Sequence, residues 1–408
     1  MHLSVWASVC TLIITSALSA QERLTLADAV LQALRNHPQM LTAAARVEAA
    51  EGLRIQAGLG PNPRLILQSE NTPFYGEPSF SYPRNADSYA FLAQTLETGR
   101  KRQRRVGLST ANVQRSELEQ QLQRQQIVSR VSVAYWAAVG AERILGLLQQ
   151  EANSFDRLVQ FHRDRVREGA APEVDLLRIE VERDRLVSSA RTAALDAERT
   201  RVALYREMGK TEFPAVHFAD EPSESHPVAP LGLDRVLSQR VEMKLAREGV
   251  EQARANLRLQ EANATPDRDV QLGYKRTFGF NTLYAAVQIP LPVRNRNQGQ
   301  IEAAAAEIKA AESSTAATEA LVRAELETAT KDYEARQKLL EETLRPMRDR
   351  ADEVYRIVDA AYRETGSDIL RLLDAERIKI ETDLMFTRAL SELQQSAVAL
   401  KTAQGSLP

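Results

Sequence analysis

The sequence predicts a mainly α-helical protein with a small β part: two tandem repeats forming long antiparallel coiled-coil hairpins, plus four β-strands per chain. Three observations predict it. The composition is rich in Ala, Arg, Glu, Gln and Leu, with 5% aromatics and a negative mean hydropathy, the bias of long helices rather than compact cores. Apolar residues recur at alternating four- and three-residue steps, the seam of a coiled coil. One order of helix, two short strands, very long helix and return helix occurs twice in 408 residues. The formal net charge of −2 argues against a nucleic-acid partner recruited by overall charge.

Residues 1–20 read as a secretory signal peptide: an apolar run from Val5 to Ile14, then small residues, then charge from Glu22. Cleavage after Ser19 or Ala20 fits the small residues and removes Cys10, the single cysteine, so that no disulfide is expected in the mature chain. Past residue 20 no run of eighteen apolar residues occurs, which excludes a helical membrane span at this level of reading. Any membrane crossing must then use β-strands in a closed barrel.

The first repeat, 21–209, opens with Leu24-Thr-Leu26-Ala-Asp-Ala-Val-Leu31 and a helix from Leu26 to about Gly58, ended by Gly60-Pro61-Asn62-Pro63. Strands follow at Arg64–Glu70 and Ser88–Thr95, with Leu65, Leu67 and Ser69 alternating against Ile66, Gln68 and Glu70. A descending helix runs from about Arg100 to Glu168, and a return helix follows the break at Gly169-Ala-Ala-Pro172. The stretch 210–230 has four prolines and no periodicity, and reads as a linker. The second repeat, 231–408, repeats the order: a helix from Leu233 to about Asn263, strands Asp269–Arg276 and Thr282–Ile289, a helix from about Gln300 to Glu364, a break at Thr365-Gly366-Ser367-Asp368, and a return helix. Half of all Phe and Tyr lie at or near the strands: Phe74, Tyr75, Phe80, Tyr82, Tyr89, Phe91, Tyr274, Phe278, Phe280 and Tyr284. That clustering suits membrane-interface girdles.

Lengths make the arrangement specific. A helix of roughly 65–69 residues spans about 100 Å, and an opening helix of roughly 33 stacked on a return helix of roughly 35 nearly matches it. Leu340, Leu344, Met347, Ala351, Val354, Val358 and Ala361 predict one coiled-coil seam; Ile144, Leu148, Ala152, Phe155 and Val159 predict another. Pro346 should kink the helix it interrupts. Such narrow seams suit a hollow assembly or a free coiled coil. Four strands cannot close a membrane barrel, for which known barrels use at least about eight. The sheet is therefore soluble, or several chains pool their strands as a homo-oligomer.

With these features in place, the chain resembles the TolC-like outer membrane efflux family over nearly all its mature length, and most of all the outer membrane component of cobalt-zinc-cadmium (heavy-metal) RND efflux systems. The segments that carry the resemblance are Leu24–Leu31, Asn36-His-Pro38-Gln-Met40, Gln94-Thr-Leu-Glu97-Thr-Gly99-Arg-Lys101-Arg102, Pro290-Leu-Pro292-Val-Arg294-Asn295-Arg296-Asn297-Gln298-Gly299, Tyr362-x-x-x-Gly366 and Leu373-Asp374-Ala375-Glu376. It implies a homotrimer with a twelve-stranded barrel in the bacterial outer membrane and a periplasmic α-helical tunnel. It also implies an inner membrane RND pump and a periplasmic adaptor (membrane fusion) protein as partners, with no catalytic chemistry and no cofactor. By matching position, the tips that meet the adaptor are Gly169, Ala170, Ala171, Pro172, Glu173 and Val174 with Gly366, Ser367, Asp368 and Ile369. Asp374 falls at the periplasmic gate, and Arg371, where the family places an acid, is expected to pair with an acid of an adjacent helix.

The run Gly99-Arg100-Lys101-Arg102-Gln-Arg104-Arg105 could serve nucleic acid in isolation, but directly after a strand it is read as a basic collar reaching outer membrane lipid phosphates. The histidines His2, His37, His162, His217 and His226 lack ligand spacing, so no metal site is assigned. Phosphate loops, nucleophile elbows and zinc-hydrolase motifs are absent from the sequence. The functional expectation is a passive exit duct for heavy-metal cations. Drug export or type I secretion by the same kind of channel, and a soluble periplasmic coiled-coil scaffold, are the competing readings.

Overall fold

The computed structural model describes residues 23–72, 79–222, 228–365 and 368–407. The signal peptide 1–20 with Cys10, the aromatics Phe74 and Tyr75, His226, and the tip residues Gly366 and Ser367 lie outside the described residues. The first half runs β1 (Arg23–Leu24), α1 (Leu26–Asn36), α2 (Pro38–Ala57), β2 (Arg64–Glu70), one helical turn α3 (Tyr82–Asn85), β3 (Asp87–Leu96), α4 (Lys101–Arg167) and α5 (Glu173–Glu207). After β4 (His217–Phe218) the second half runs α6 (Leu233–Gln239), α7 (Val241–Asn263), β5 (Arg268–Thr277), β6 (Phe280–Gln288), α8 (Gln298–Lys338), a π-helical turn (Leu339–Leu344), α9 (Arg345–Thr365) and α10 (Ile369–Gln404). At 67 residues α4 is about 100 Å long. Helices α2 and α5 lie along it, as α7 and α10 lie along α8 and α9, and α4 packs on both α7 and α10 to join the halves.

Each opening helix, expected to be continuous, is two helices. In the first half the break is at His37, held extended (φ −66°, ψ 127°) because the following Pro38 disfavours helical backbone there. The His37 ring then caps α2, its Nδ1 accepting from the Gln39 N–H at 3.1 Å. The second half breaks at Arg240 with nearly the same dihedrals and no proline. Its buried guanidinium holds the break, bonding Glu242 at 2.9 Å and Glu325 at 2.6 Å and capping the end of α10 through the carbonyls of Thr402 and Ala403.

Pro346 does disturb its helix, as a π turn that ends two residues upstream. Proline lacks an N–H and crowds the carbonyl four residues back, and widening the preceding turn relieves both. The extra residue changes the seam. Leu340, Leu344 and Ala351 are buried and Val358 packs on the core as expected, but Tyr355 and Tyr362 join the packed stripe. Met347 and Val354, expected inside, are 36% and 45% exposed, and Ala361 is exposed too. In α4 the seam at Leu148, Ala152, Phe155 and Val159 is buried.

One expectation needs correction. An eighteen-residue window within α4 is apolar enough to pass for a membrane span. Its apolar side chains serve a core instead: Ile127, Val131, Tyr135, Trp136 and Val139 pack on Ala29 and Ala33 of α1 and on Leu204 and Met208. At the centre of that core the Tyr135 hydroxyl lies 2.9 Å from the Leu24 carbonyl and 2.8 Å from Asp220, which also accepts the Leu26 N–H. The tyrosine thereby fastens the parallel β1–β4 pair to the bundle. Tyr333, the matching residue of the second half, accepts from the Val228 N–H at 3.3 Å.

Where α4 meets α10, Gly140 allows the closest approach. A Cβ there would sit 2.4 Å from Ser391 Oγ, whose hydroxyl donates to the Trp136 carbonyl. Gly140→Val should therefore destabilise the protein by about 1–3 kcal/mol through overpacking. Gly146→Ala, with open space at its Cβ, should leave the melting curve unchanged or slightly raised. Thermal unfolding followed by circular dichroism checks the pair.

Candidate functional site

The four strands form one antiparallel sheet in the order β2-β3-β5-β6, and their register sorts the side chains onto two unlike faces. One face carries the cross-strand rows Leu65–Leu92–Leu272–Ala285, Leu67–Ala90–Tyr274–Leu283 and Gln94–Val270–Val287. The other carries Gln68–Tyr89–Lys275–Thr282, Arg64–Ala93–Gln271–Ala286 and Thr95–Asp269–Gln288. Leu65, Leu67, Leu92, Leu272, Leu283 and Val287 are all more than half exposed, an apolar face that nothing among the described residues covers. The outer edges of β2 and β6 have no strand partner among the described residues.

The aromatics divide differently from the expected girdles. Tyr82, Tyr274, Phe278 and Phe280 are exposed and sit towards the strand ends farthest from the helices. On the polar face Tyr284 instead packs against Phe91 and meets Tyr89 edge-on. Gly273 lies between Phe91 and Tyr284 in the register, and a Cβ on it would fall 2.3 Å from Phe91 Cα. The Ala90–Phe91 backbone and the Phe91 Cβ fill the space that the glycine leaves.

At the helical end of the sheet the basic collar is partly used up. Gly99 and Arg100 both have left-handed backbone (φ 62° and 59°), which reverses the chain from β3 into α4. Lys101 is buried on Asp267 at 2.7 Å, and Arg105 pairs with Glu97. Burial works against the Asp267 charge, but Lys101, the Thr98 N–H and Arg105 together hold its carboxyl below the usual range. Lys101 and Arg105 therefore brace the junction. Arg102 and Arg100 are exposed, and Arg104 is half-buried.

At the other end of the bundle the first tip turns at Gly169 (φ 71°), the second at Asp368 (φ 71°). Val174, Leu177, Val181 and Leu370 are exposed and, with Leu373 and Asp374, line a groove between α5 and α10. Ile369, expected at the contact surface, is buried beneath it. Arg371 does not reach an adjacent helix. Its side chain, 81% exposed, pairs with Asp368 of its own first turn at 2.8 Å. Asp374 is exposed in the groove. No group of three or more His, Cys, Asp or Glu among the described residues is placed to hold a metal ion.

A contact that sequence reasoning missed joins the two hairpins just above the tips. His162 is 2% exposed, and its Nε2 lies 2.6 Å from the Tyr362 hydroxyl. Burial, then the field of Arg165, pushes the His162 pKa down, so the ring is neutral and Tyr362 donates to it. That tautomer places the proton on Nδ1, which is buried without a partner. The signal was present: His162 is the next position of the seam Leu148, Ala152, Phe155, Val159. Tyr362→Phe should leave both ring nitrogens unsatisfied and weaken the α4–α9 contact by about 1–3 kcal/mol. Hydrogen exchange of α9 should then quicken while that of α1 and α2 stays as in the wild type. Because the folded pKa is depressed, the contact is fully present above the ordinary histidine range and is lost as pH falls below it.

Comparison with known proteins fits this geometry. Residues 29–210 match the model of the family described as outer membrane efflux protein. The chain is 23% identical over 389 residues to the cobalt-zinc-cadmium resistance protein CzcC of Cupriavidus metallidurans, covering 94% of this chain and 90% of that protein. Its fold is similar to that of a membrane protein from Pseudomonas aeruginosa, with a TM-score of 0.77 at 18% identity over 94% of this chain and 91% of the other. It is similar also to the CusC channel structure, at 0.75 and 15% identity over 94% and 92%. The outer membrane protein VceC of Vibrio cholerae gives 0.71 and 17% identity over 93% and 96%.

Proposed function

We propose that this chain is a member of the outer membrane efflux protein family and one protomer of a passive exit duct for heavy-metal cations in the bacterial outer membrane. The observation that carries the reading is a sheet with one apolar face and two unpartnered edges at one end of a helical bundle about 100 Å long. In hydrocarbon each unpaired backbone group costs several kcal/mol, so the edges of β2 and β6 must meet strands of other copies. Three chains give a closed barrel of twelve strands, its apolar face to lipid and its polar face lining the lumen. The helices then continue the lumen through the periplasm. The chain is a channel protein and not an enzyme. It supplies no energy of its own, so an inner membrane RND pump drives transport and a periplasmic adaptor opens the tips around Gly169–Val174 and Asp368, where Asp374 narrows the resting tunnel.

The name of the relative CzcC supports a metal cargo. Deletion of the gene should sensitise the bacterium to cobalt, zinc or cadmium, and the intact gene should restore tolerance. Sensitisation to drugs alone would move the cargo to the competing class, and a chain recovered wholly soluble from the periplasm would contradict the duct itself. The two faces give a sharper test. Leu272→Arg, on the apolar face, should cost about 2–4 kcal/mol if it sits near the bilayer midplane and should deplete the protein from outer membranes. Gln271→Arg, one residue away on the polar face, should leave membrane recovery close to wild type. Equal losses would contradict the assignment of the faces.

A further inference from the structure

In the lower bundle, α10 carries Glu376 into the angle between α4 and α9. One of its oxygens is sealed from solvent without a hydrogen-bond partner. The neighbouring charges are mostly of its own sign. From α4 comes Glu151, and from α9 come Asp359 and the Tyr355 hydroxyl, which bonds the Glu376 carboxyl. The cations nearby are paired with other carboxylates, two of them the Glu151 and Asp359 that face Glu376. Lys379 lies 2.8 Å from Asp383 and 3.7 Å from Glu151, Arg363 holds Asp359 at 2.9 Å, and Arg348 holds Asp383 at 2.8 Å. Asp352 of α9 adds to the field at Lys379. From α5, Glu182 and Arg185 face the other side of α10, in a groove shared with Arg377 and Glu381.

We propose that Glu376, set against Glu151 and Asp359, forms a pH-sensitive lock between α4 and the α9–α10 hairpin, tight while Glu376 holds a proton and loosened when it is ionised. The geometry supplies both states. A protonated Glu376 is a neutral group at a packed helix junction, whereas an ionised one is a half-buried charge, one oxygen sealed from solvent, facing two other carboxylates. Burial first, then Glu151 and Asp359, pushes the Glu376 pKa up to about 7. A raised carboxyl pKa means that the folded state binds more protons than the opened one. The stabilisation is therefore complete below the ordinary carboxylate range and is lost as pH rises through about 7. His162, near the tips, responds in the opposite sense. The lock is a property of the lower bundle and does not rest on what the chain conducts.

The test is hydrogen exchange of the purified full-length protein in detergent, read as protection factors so that the intrinsic pH dependence cancels. Between pH 6 and pH 8 protection across 352–383 should fall about tenfold in the wild type, the change expected for one such carboxyl. Glu376→Gln, a neutral isostere, should abolish that fall and keep protection high at pH 8. Glu151→Gln removes one repelling charge and should move the midpoint to lower pH, which keeps the test valid if the first variant folds poorly. A wild-type protection that is flat over this range overturns the proposal. So does a pH response unchanged in both variants.

Discussion

Backbone hydrogen bonding at the sheet edges is the constraint from which the rest of the structure follows. In β2-β3-β5-β6 the inner strands are satisfied on both sides, and β2 and β6 on one. In water such edges invite aggregation. In lipid they are forbidden, so only closure by other copies satisfies them. The proposed closure accounts for the exposed apolar residues of the sheet falling on a single face, and for the chain below it being a thin layer of helices with many apolar side chains still exposed. A hollow assembly needs walls, not a central core.

Within that wall the two repeats use the same plan with different fastenings. Both opening helices break at a buried polar residue, His37 or Arg240, and both long helices place a tyrosine, Tyr135 or Tyr333, against the segment that enters or leaves the linker region. Many ion pairs are exposed contacts between neighbouring turns of one helix, such as Arg323–Glu319 and Arg356–Glu353. Pairs of that kind contribute roughly 0–1 kcal/mol each and keep the helices soluble more than they hold them together. Two buried cations lie where the chain changes direction. Arg240 gathers two acids and two carbonyls, and Lys101 with Asp267 fixes the turn from sheet to bundle.

Much of the fold was legible because its signals are local. The alternation of Leu65 and Leu67 against Ile66 and Gln68 placed β2 at its observed ends, and the other strands differ by at most two residues at either end. Gly169 and Pro172 marked the first tip. What was not legible depended on tertiary partners. Pro38 announces the break at His37, but only Glu325 and the end of α10 explain the break at Arg240. Pro346 announced a disturbance without revealing that a π turn would carry Tyr355 and Tyr362 into the seam. The basic run at 100–105 looked like one surface, yet Asp267, far along the chain, takes Lys101 into the interior. At the tips Arg371 found its nearest acid, Asp368, in its own helical turn, and the contact that does join the hairpins, His162 with Tyr362, brings together residues from different repeats.

The central claim is that several copies of this chain, and three in particular, complete one barrel. The mass of the detergent-extracted protein, measured by native mass spectrometry with the detergent stripped, tests it most directly. The account predicts a membrane-derived species containing three chains. A monomer released from cells without detergent, with its sheet edges open to water, would contradict it.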